Sequence, residues 1–134
     1  MSRFQRGNSC VYNVSYHIIW TPKYRKSILE GEIREKVKQY LFEKAEMINI
    51  TIAEYEIMPD HIHLFIKCSP QHKVSKIVQY LKGYSSYKLR REYPEYKKYK
   101  ALWSPSYYCE SIGHISEKTV RRYIEDQMIN AKNK

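Results

Sequence analysis

The hydrophobic and polar positions along the chain change period several times, and each period predicts a different element. Residues 10–20 alternate, with Ile18 on one side of the predicted strand and His17 on the other. Residues 28–48 instead place an apolar side chain at every fourth position, which predicts an amphipathic helix with a solvated outer face. The apolar stripe of that helix consists of Leu29, Ile33, Val37, Leu41 and Ala45.

Three further elements are predicted in the middle of the chain. Strands over residues 48–58 and 61–68 flank a proline and aspartate turn signal, so we expect them to form a hairpin. Apolar residues at helical spacing from Val74 onward predict a second helix. This helix should end before Pro94, because proline disfavours helical backbone in the residue that precedes it.

The last third of the chain predicts a fourth strand over residues 102–109 and a final helix over residues 116–131. The complete order is strand, helix, strand, strand, helix, strand and helix. This order fits an α+β fold of the ferredoxin-like (RRM-like) type, a βαββαβ antiparallel sheet with both main helices on one face. The core is expected over residues 8–112, and the appended C-terminal helix is free to cover part of the other face, where function should lie.

Length and composition place these elements in a single domain over residues 1–134. The 134 residues are 43% hydrophobic, which is enough for one core but not for two domains. Lysine and arginine number 24 against 14 acidic residues, and the net charge of +10 points to a polyanionic partner.

The sequence also predicts the compartment in which the protein works. No segment is long and apolar enough to span a bilayer, so no membrane partner is expected. The three cysteines are widely spaced and form no Cys-x-x-Cys pair, which predicts neither a disulfide framework nor a cysteine zinc site. We therefore expect a reduced, cytoplasmic protein.

His61 and His63 lie two positions apart in a predicted strand, which places both imidazoles on one face. Their Cα atoms are then roughly 6.5 Å apart, since a strand rises about 3.3 Å per residue. Two imidazoles at this separation can turn onto one metal ion. The alternative is that they are ordinary residues of a half-exposed strand, and the pair by itself supplies no third ligand.

A tyrosine can act as the nucleophile in phosphoryl transfer if its high pKa is lowered and charge on the phosphate is stabilised, for example by a divalent cation. Of the 14 tyrosines, only Tyr123 is followed at i+4 by a metal-capable carboxylate or amide, that of Gln127. Both flank the apolar stripe of the last helix, so docking of that stripe holds them at the edge of a cleft. Tyr40, which is followed by Glu43 at i+3, is a weaker candidate for the nucleophile. The alternative for Tyr123 is that it only packs against neighbouring side chains.

Basic residues concentrate in two places along the chain. Between residues 82 and 100, seven basic side chains stand against two acidic ones and interleave with tyrosines, which favours contact with single-stranded nucleic acid. Arg121 and Arg122 directly precede Tyr123 and can hold the flanking phosphates. The alternative for the longer run is a solvated helix face. The candidate DNA-binding residues are Lys82, Lys88, Arg90, Arg91, Arg121 and Arg122.

The His61-Ile62-His63 motif, followed far downstream by Tyr123 and Gln127, resembles the signature of the single-tyrosine HUH transposases of the insertion-sequence 200/605 type. The resemblance spans nearly the whole chain, because further segments are similar in the same order. These segments are Tyr16-His17-Ile18-Ile19-Trp20, Lys23-Tyr24-Arg25, Leu81-Lys82-Gly83 with Ser85 and Ser86, Leu102-Trp103-Ser104-Pro105-Ser106-Tyr107, and Gly113.

The resemblance implies a transposase that cleaves and rejoins single-stranded DNA at hairpins near the ends of an insertion element. It implies that His61, His63 and Gln127 bind a divalent metal, Mg²⁺ or Mn²⁺, which polarises the scissile phosphate. Tyr123 is implied as the nucleophile, which leaves a 5′-phosphotyrosine and a free 3′-OH; a second 3′-OH then attacks this linkage and rejoins the strands. It further implies a homodimer with composite sites, for which Gly113 offers a hinge before a mobile C-terminal helix.

Three alternative functions remain open on the sequence. The chain can be a domesticated relative that nicks or rejoins repetitive hairpins without mobilising an element. It can be a non-catalytic module in which tyrosines stack on unpaired bases and lysines contact the backbone, with no need of metal. It can also be a metal-dependent hydrolase that uses water and forms no covalent link to DNA.

Overall fold

The computed structural model describes residues 5–7, 10–12, 14–112 and 124–126. Two short strands near the start form a separate antiparallel pair, and four longer strands form the main sheet. The elements in chain order are β1 (Gln5–Gly7), β2 (Cys10–Tyr12), β3 (Val14–Trp20), α1 (Gly31–Met47), β4 (Thr51–Met58), β5 (His61–Cys68), α2 (Val74–Glu92) and β6 (Tyr108–Ile112).

The main sheet has the strand order β4-β5-β3-β6, and all its neighbouring strands are antiparallel. The four strands and two helices follow one another as βαββαβ, so the predicted ferredoxin-like α+β fold is confirmed. The strands β3 and β5 occupy the centre, with Ile18 opposite Leu64 and Ile19 opposite His63.

Both helices pack on the same face of this sheet. Val37 and Leu41 of α1 and Ile77 and Leu81 of α2 are buried with the inward side chains of β5 in one hydrophobic cluster. The strand contributes Ile62, Leu64 and Ile66, all fully buried. Truncation of such a leucine to alanine costs about 2–5 kcal/mol of stability, because the cavity that remains cannot fully collapse.

The predicted fourth strand over residues 102–109 is wrong over most of its length, since β6 begins only at Tyr108. Leu102 and Trp103 are buried, but an irregular segment carries them into the core. This segment is held by the backbone amide of Lys23, which donates to the carbonyl of Leu102 at 2.9 Å. Apolar character there comes from packing against α2 and the end of β3, which a local pattern cannot distinguish from a strand.

The other boundaries differ from the prediction by a few residues. The first strand is divided into β2 and β3, and β4 begins at Thr51 rather than at residue 48. The helix α1 begins at Gly31, which has φ of +56°. Before the helix, the amide of Leu29 donates to the carbonyl of Pro59 at 3.0 Å and ties this segment to the turn between β4 and β5.

The C-terminal segment reaches the face of the sheet that α1 and α2 leave open. Residues 124–126 are helical, and Ile124 is buried against Phe65 of β5. The rest of the predicted helix over residues 116–131 lies outside the described residues, so its extent stays a prediction. Within the described ranges, no helix has the length and apolar character needed to cross a membrane.

Candidate functional site

The paired histidines stand side by side on the open face of β5. Strand alternation sends Ile62 and Leu64 into the core and turns His61 and His63 to the other side. The two imidazole centroids are 4.9 Å apart with an angle of 66° between the rings. Both rings are sheltered, since His63 is only 3% exposed and the His61 side chain 12%.

Asp60, in the turn before β5, fixes the orientation of the His61 ring. Its Oδ1 lies 2.7 Å from Nδ1 of His61, and its Oδ2 accepts a hydrogen bond from Nη2 of Arg25 at 2.9 Å. Burial raises the pKa of Asp60, but the hydrogen bond from His61 and the charge of Arg25 outweigh it and leave that pKa below its ordinary value. Asp60 is therefore an ionised acceptor, and Nδ1 of His61 carries the proton.

Because Asp60 holds Nδ1, the nitrogen of His61 that can bind a ligand is Nε2. The atom is buried and has no hydrogen-bond partner among the described residues. A carboxylate that holds one imidazole nitrogen while the other nitrogen binds a metal is a recurrent arrangement in metalloproteins. The residues present therefore fit a metal ligand at this position.

His17 of β3 joins the pair, although its spacing in the sequence had given no reason to select it. Its Nε2 lies 3.4 Å from Nδ1 of His63, and the two rings stack with centroids 5.5 Å apart. The contact follows from the register of the sheet. Ile19 of β3 lies opposite His63, and His17 lies two positions before Ile19 on the same face of β3. The contact orients the His63 ring and leaves its Nε2 as the other available nitrogen.

Burial keeps both of these contacting rings neutral. It lowers the pKa of His63 to about 4, with smaller contributions from the neighbouring His61 and His17. It also lowers the pKa of His17, against an opposing effect of Glu110. Neutral imidazole is the form that coordinates metal ions.

A third metal ligand is not found among the described residues, where no three His, Cys, Asp or Glu side chains are grouped suitably for one ion. The predicted third ligand Gln127 and the predicted nucleophile Tyr123 both lie outside the described residues. The described residues between them do reach the correct face, since Ile124 packs on Phe65, which is two positions from His63 on β5.

The predicted DNA-binding residues of α2 lie in the helical layer, on the far side of the sheet from the histidines. Lys82 donates to the carbonyls of Ser104 at 2.7 Å and Ser106 at 2.9 Å, and Arg90 donates to the carbonyl of Tyr99. These two side chains fix the segment that leads to β6. Lys88 lies over the rings of Tyr40 and Tyr84, and Arg91 donates to the hydroxyl of Tyr87.

The DNA-binding role of these four residues stays a prediction. Arg121 and Arg122 lie outside the described residues, and their role likewise stays a prediction. The remaining described histidine, His72, has a structural role, since its Nε2 bonds to the carbonyl of Ile48 at 2.9 Å.

A ferredoxin-like sheet with a sheltered imidazole cluster on its open face defines an α+β domain built around a candidate metal centre. The family model described as "Transposase IS200 like" matches residues 10–127, and the chain therefore belongs to the family of IS200-like transposases. This membership agrees with the resemblance of the sequence motifs to single-tyrosine transposases.

Two relatives show how close this similarity is. The ISDra2 transposase TnpA of Deinococcus radiodurans is 33% identical over 126 residues, which cover 92% of this chain and 90% of the relative. The transposase for insertion sequence element IS200 of Salmonella typhimurium is 36% identical over 120 residues, covering 87% of this chain and 78% of the relative. The chain is thus a transposase that carries out DNA strand transfer.

Two solved structures share the fold. A putative transposase from Deinococcus radiodurans R1 matches with a TM-score of 0.75 and 32% identity, covering 92% of this chain and 97% of the other. A REP-associated tyrosine transposase bound to a REP hairpin matches with a TM-score of 0.60 and 15% identity, covering 92% of this chain and 68% of the other. At this lower identity the second likeness concerns the fold alone.

Proposed function

We propose that this transposase cleaves and rejoins single-stranded DNA at the ends of its element through a 5′-phosphotyrosine formed on Tyr123. The observation that carries the proposal is the buried Nε2 of His61, which has no hydrogen-bond partner among the described residues while Asp60 holds the Nδ1 atom of the same ring. It lies beside His63 on the sheet face that Ile124 contacts. Tyr123 directly precedes Ile124 in the chain.

His61, His63 and Gln127 are the residues that would hold a divalent metal, Mg²⁺ or Mn²⁺. The metal supplies charge stabilisation on the oxygens of the scissile phosphate. Asp60 and His17 orient the two rings, because each holds the Nδ1 atom of one histidine and leaves its Nε2 for the metal. In the predicted helix over residues 116–131, Gln127 follows Tyr123 at i+4, so ligand and nucleophile are proposed to share one helix face.

The strand-transfer chemistry balances without an external energy source. The Tyr123 oxygen forms a bond to phosphorus, and the bond from phosphorus to the 3′ oxygen breaks, which releases a 3′-OH. In the second step another 3′-OH attacks the phosphotyrosine and the tyrosine leaves. One phosphodiester is exchanged for another, so the covalent intermediate conserves the bond energy.

The substrate and assembly complete the proposal. A net charge of +10 favours a nucleic acid, and the hairpin-bound structure with the same fold makes DNA hairpins the candidate recognition element. We place Tyr123 on a mobile C-terminal helix of a homodimer, after the hinge candidate Gly113. The whole chain over residues 1–134 then forms one catalytic domain with its core over residues 8–112.

The test is to incubate single-stranded element-end DNA with the protein and Mg²⁺ and to look for an adduct that survives denaturation. Wild type should form the adduct, and Tyr123→Phe should abolish it. Tyr108→Phe is the matched control, because the Tyr108 ring lies 6.4 Å from that of His17, which makes Tyr108 a rival nucleophile beside the imidazole cluster. Loss of the adduct in Tyr108→Phe with retention in Tyr123→Phe would transfer the role to Tyr108.

The same adduct gel distinguishes strand transfer from the alternative functions. Cleavage without an adduct indicates a hydrolase that uses water. Binding of DNA without cleavage, unchanged in His61→Ala, indicates a non-catalytic binding module. Chelation of the metal should abolish adduct formation by wild type, and added Mn²⁺ or Mg²⁺ should restore it.

A further inference from the structure

A pocket beyond the end of β3 has no role in the chemistry described above. It lies between the segment after β3 and the segment before β6, and its floor is made by Ile28 and Leu102. Its volume is about 130 Å³. An apolar cavity of roughly 150 Å³ accommodates benzene, so this pocket has the size for one planar ring.

The aromatic wall of the pocket is held in an unusual backbone conformation. Tyr24 has φ of 61° and ψ of 20°, and Arg25 has φ of 51°, although neither residue is glycine. Tyr24 is 82% exposed, so packing in the core does not account for this conformation. Strained backbone of this kind is concentrated at sites that bind ligands.

The charged residues that line the pocket in the described part of the chain are Lys23, Lys26 and Lys100. Lys26 places its Nζ 4.5 Å from the centre of the Tyr99 ring, and Lys23 places its Nζ 5.7 Å from the centre of the Tyr24 ring. The rings of Tyr24 and Tyr99 thus each have a lysine ammonium group close by. This combination suits a ligand that is planar at its centre and anionic on both sides.

The turn that forms the pocket wall also contacts the candidate metal site. Arg25 follows Tyr24 and donates to Asp60, and Asp60 holds Nδ1 of His61. Two side-chain contacts therefore connect the pocket to the ring that is proposed to bind the metal. A DNA strand whose phosphate lies at His61 can place a neighbouring nucleotide at this pocket.

We propose that the pocket binds one unpaired nucleobase of the DNA strand that is cleaved, stacked on Tyr24 and Tyr99, with the flanking phosphates contacted by Lys23, Lys26 and Lys100. The proposal rests on the proposed function in that the cleaved strand is the ligand. It adds a binding site for a base beside the reacting phosphate, and so a determinant of which sequence is cut.

Binding of the full-length protein to a fluorescein-labelled 12-nucleotide oligothymidine tests this site. Tyr24→Ala should weaken binding on the order of 5- to 100-fold, and Tyr24→Phe should retain it, because the ring and not the hydroxyl stacks. Tyr80→Ala is the matched control, since Tyr80 is an exposed tyrosine of α2 that also lies beside a lysine. Unchanged binding by Tyr24→Ala, or a loss that Tyr80→Ala shares, would overturn the proposal.

Salt dependence separates stacking from charge. Lys26→Ala should lower the slope of log K against log salt by about one, because one phosphate contact is lost. Tyr24→Ala should weaken binding at every salt concentration and leave that slope unchanged. A changed slope in Tyr24→Ala with no loss of affinity at high salt would contradict base stacking.

Photo-crosslinking gives an independent measure of position. Oligothymidine that carries 5-iodouracil should crosslink to peptides containing Tyr24 or Tyr99, and crosslinks confined to other tyrosines would refute the site. The adduct gel is run on the same samples. An adduct without any effect of Tyr24→Ala refutes the pocket alone, whereas pocket-dependent binding without an adduct refutes the phosphotyrosine chemistry alone.

Discussion

At the scale of single residues, Asp60 is a positioning residue whose effect should appear in metal affinity. Asp60→Ala removes the acceptor that holds Nδ1 of His61, so we expect Mn²⁺ to bind about 10- to 100-fold more weakly. The measurement is the Mn²⁺ concentration that gives half-maximal adduct formation, together with direct calorimetric binding.

Two variants make this test specific. Asp60→Asn should recover part of the affinity, because its amide oxygen still accepts a hydrogen bond. Glu46→Ala, at an exposed acidic residue of α1, should leave the Mn²⁺ dependence unchanged. An unchanged Mn²⁺ dependence in Asp60→Ala would show that Asp60 does not orient a ligand.

The thiol of Cys68 should be inert in the folded protein. Burial raises the pKa of Cys68 to about 11, while an unfolded cysteine titrates near 8.5. Peptide mapping after thiol modification at pH 8 should show the half-buried Cys109 reacting before Cys68, which reacts only in denaturant. Equal rates for both cysteines in the native protein would contradict this expectation.

The same pKa difference sets the sign of a pH effect. The folded chain keeps the Cys68 proton at pH values where the unfolded chain has lost it. The contribution of Cys68 to stability is therefore complete below about pH 8.5 and falls as the pH rises toward 11. Cys68→Ala should remove this part of the pH dependence of unfolding.

Part of the candidate site was accessible from single residues of the sequence. The two-residue spacing of His61 and His63 predicts a shared strand face, which the structure shows. The contacts of His17 and Arg25 were not accessible, because they depend on strand register and on a left-handed turn. Those features arise from the packing of distant segments and leave no local period in the sequence.

At the scale of elements, one buried hydrogen-bond chain joins α2 to the segment before β6. Trp103 donates from Nε1 to Oγ of Ser85 at 3.0 Å, and Ser85 donates to the carbonyl of Leu81 at 2.7 Å. Ser85→Ala leaves the buried indole N–H without its acceptor, which should cost about 1–3 kcal/mol in urea unfolding.

A double-mutant cycle identifies the cause of that loss. Trp103→Phe removes the donor, so adding Ser85→Ala to it should cost less than Ser85→Ala costs in the wild type. Ser86→Ala, one position along α2 and less buried, should change the stability little. Full additivity of the two substitutions would show that the hydrogen bond makes no net contribution.

Elements with a strict period were the predictable part of the fold. The hairpin strand β5 has its predicted bounds, because its alternation coincides with one buried and one open face. The strand prediction is wrong over residues 102–107, where Trp103 forms an isolated bridge to Pro22. Leu102 accepts from the amide of Lys23, and Ser104 bonds to Thr21 and Lys82. Apolar residues in an irregular buried segment carry no period that distinguishes them from a short strand.

At the scale of the whole molecule, the sheet separates two chemically different sides. The imidazole cluster occupies one side, and the basic residues of α2 lie in the helical layer on the other. A strand of DNA at the histidines therefore does not contact the α2 side chains of the same subunit without passing an edge of the sheet. This separation is consistent with the proposed use of two subunits on one substrate.

The proposed composite site can be tested by mixing two inactive variants. Tyr123→Phe retains the histidines, and His61→Ala retains the tyrosine. If the two subunits exchange and each site combines residues from both, the mixture should recover about a quarter of the wild-type adduct, because half the dimers are mixed and half their sites are intact. A mixture that stays inactive, after exchange has been confirmed with differently tagged subunits, would place Tyr123 in the same subunit as its histidines.

The position of the histidines within the strand order has a thermal consequence. His17 belongs to β3, and His61 and His63 belong to β5. These two strands have hydrogen-bonded neighbours on both sides, whereas β4 and β6 form the margins of the sheet. Amide exchange begins at such margins and reaches the middle of a sheet only when the molecule opens as a whole. Warming should therefore loosen the margins first, and the spacing of the imidazoles should persist until the cooperative melt.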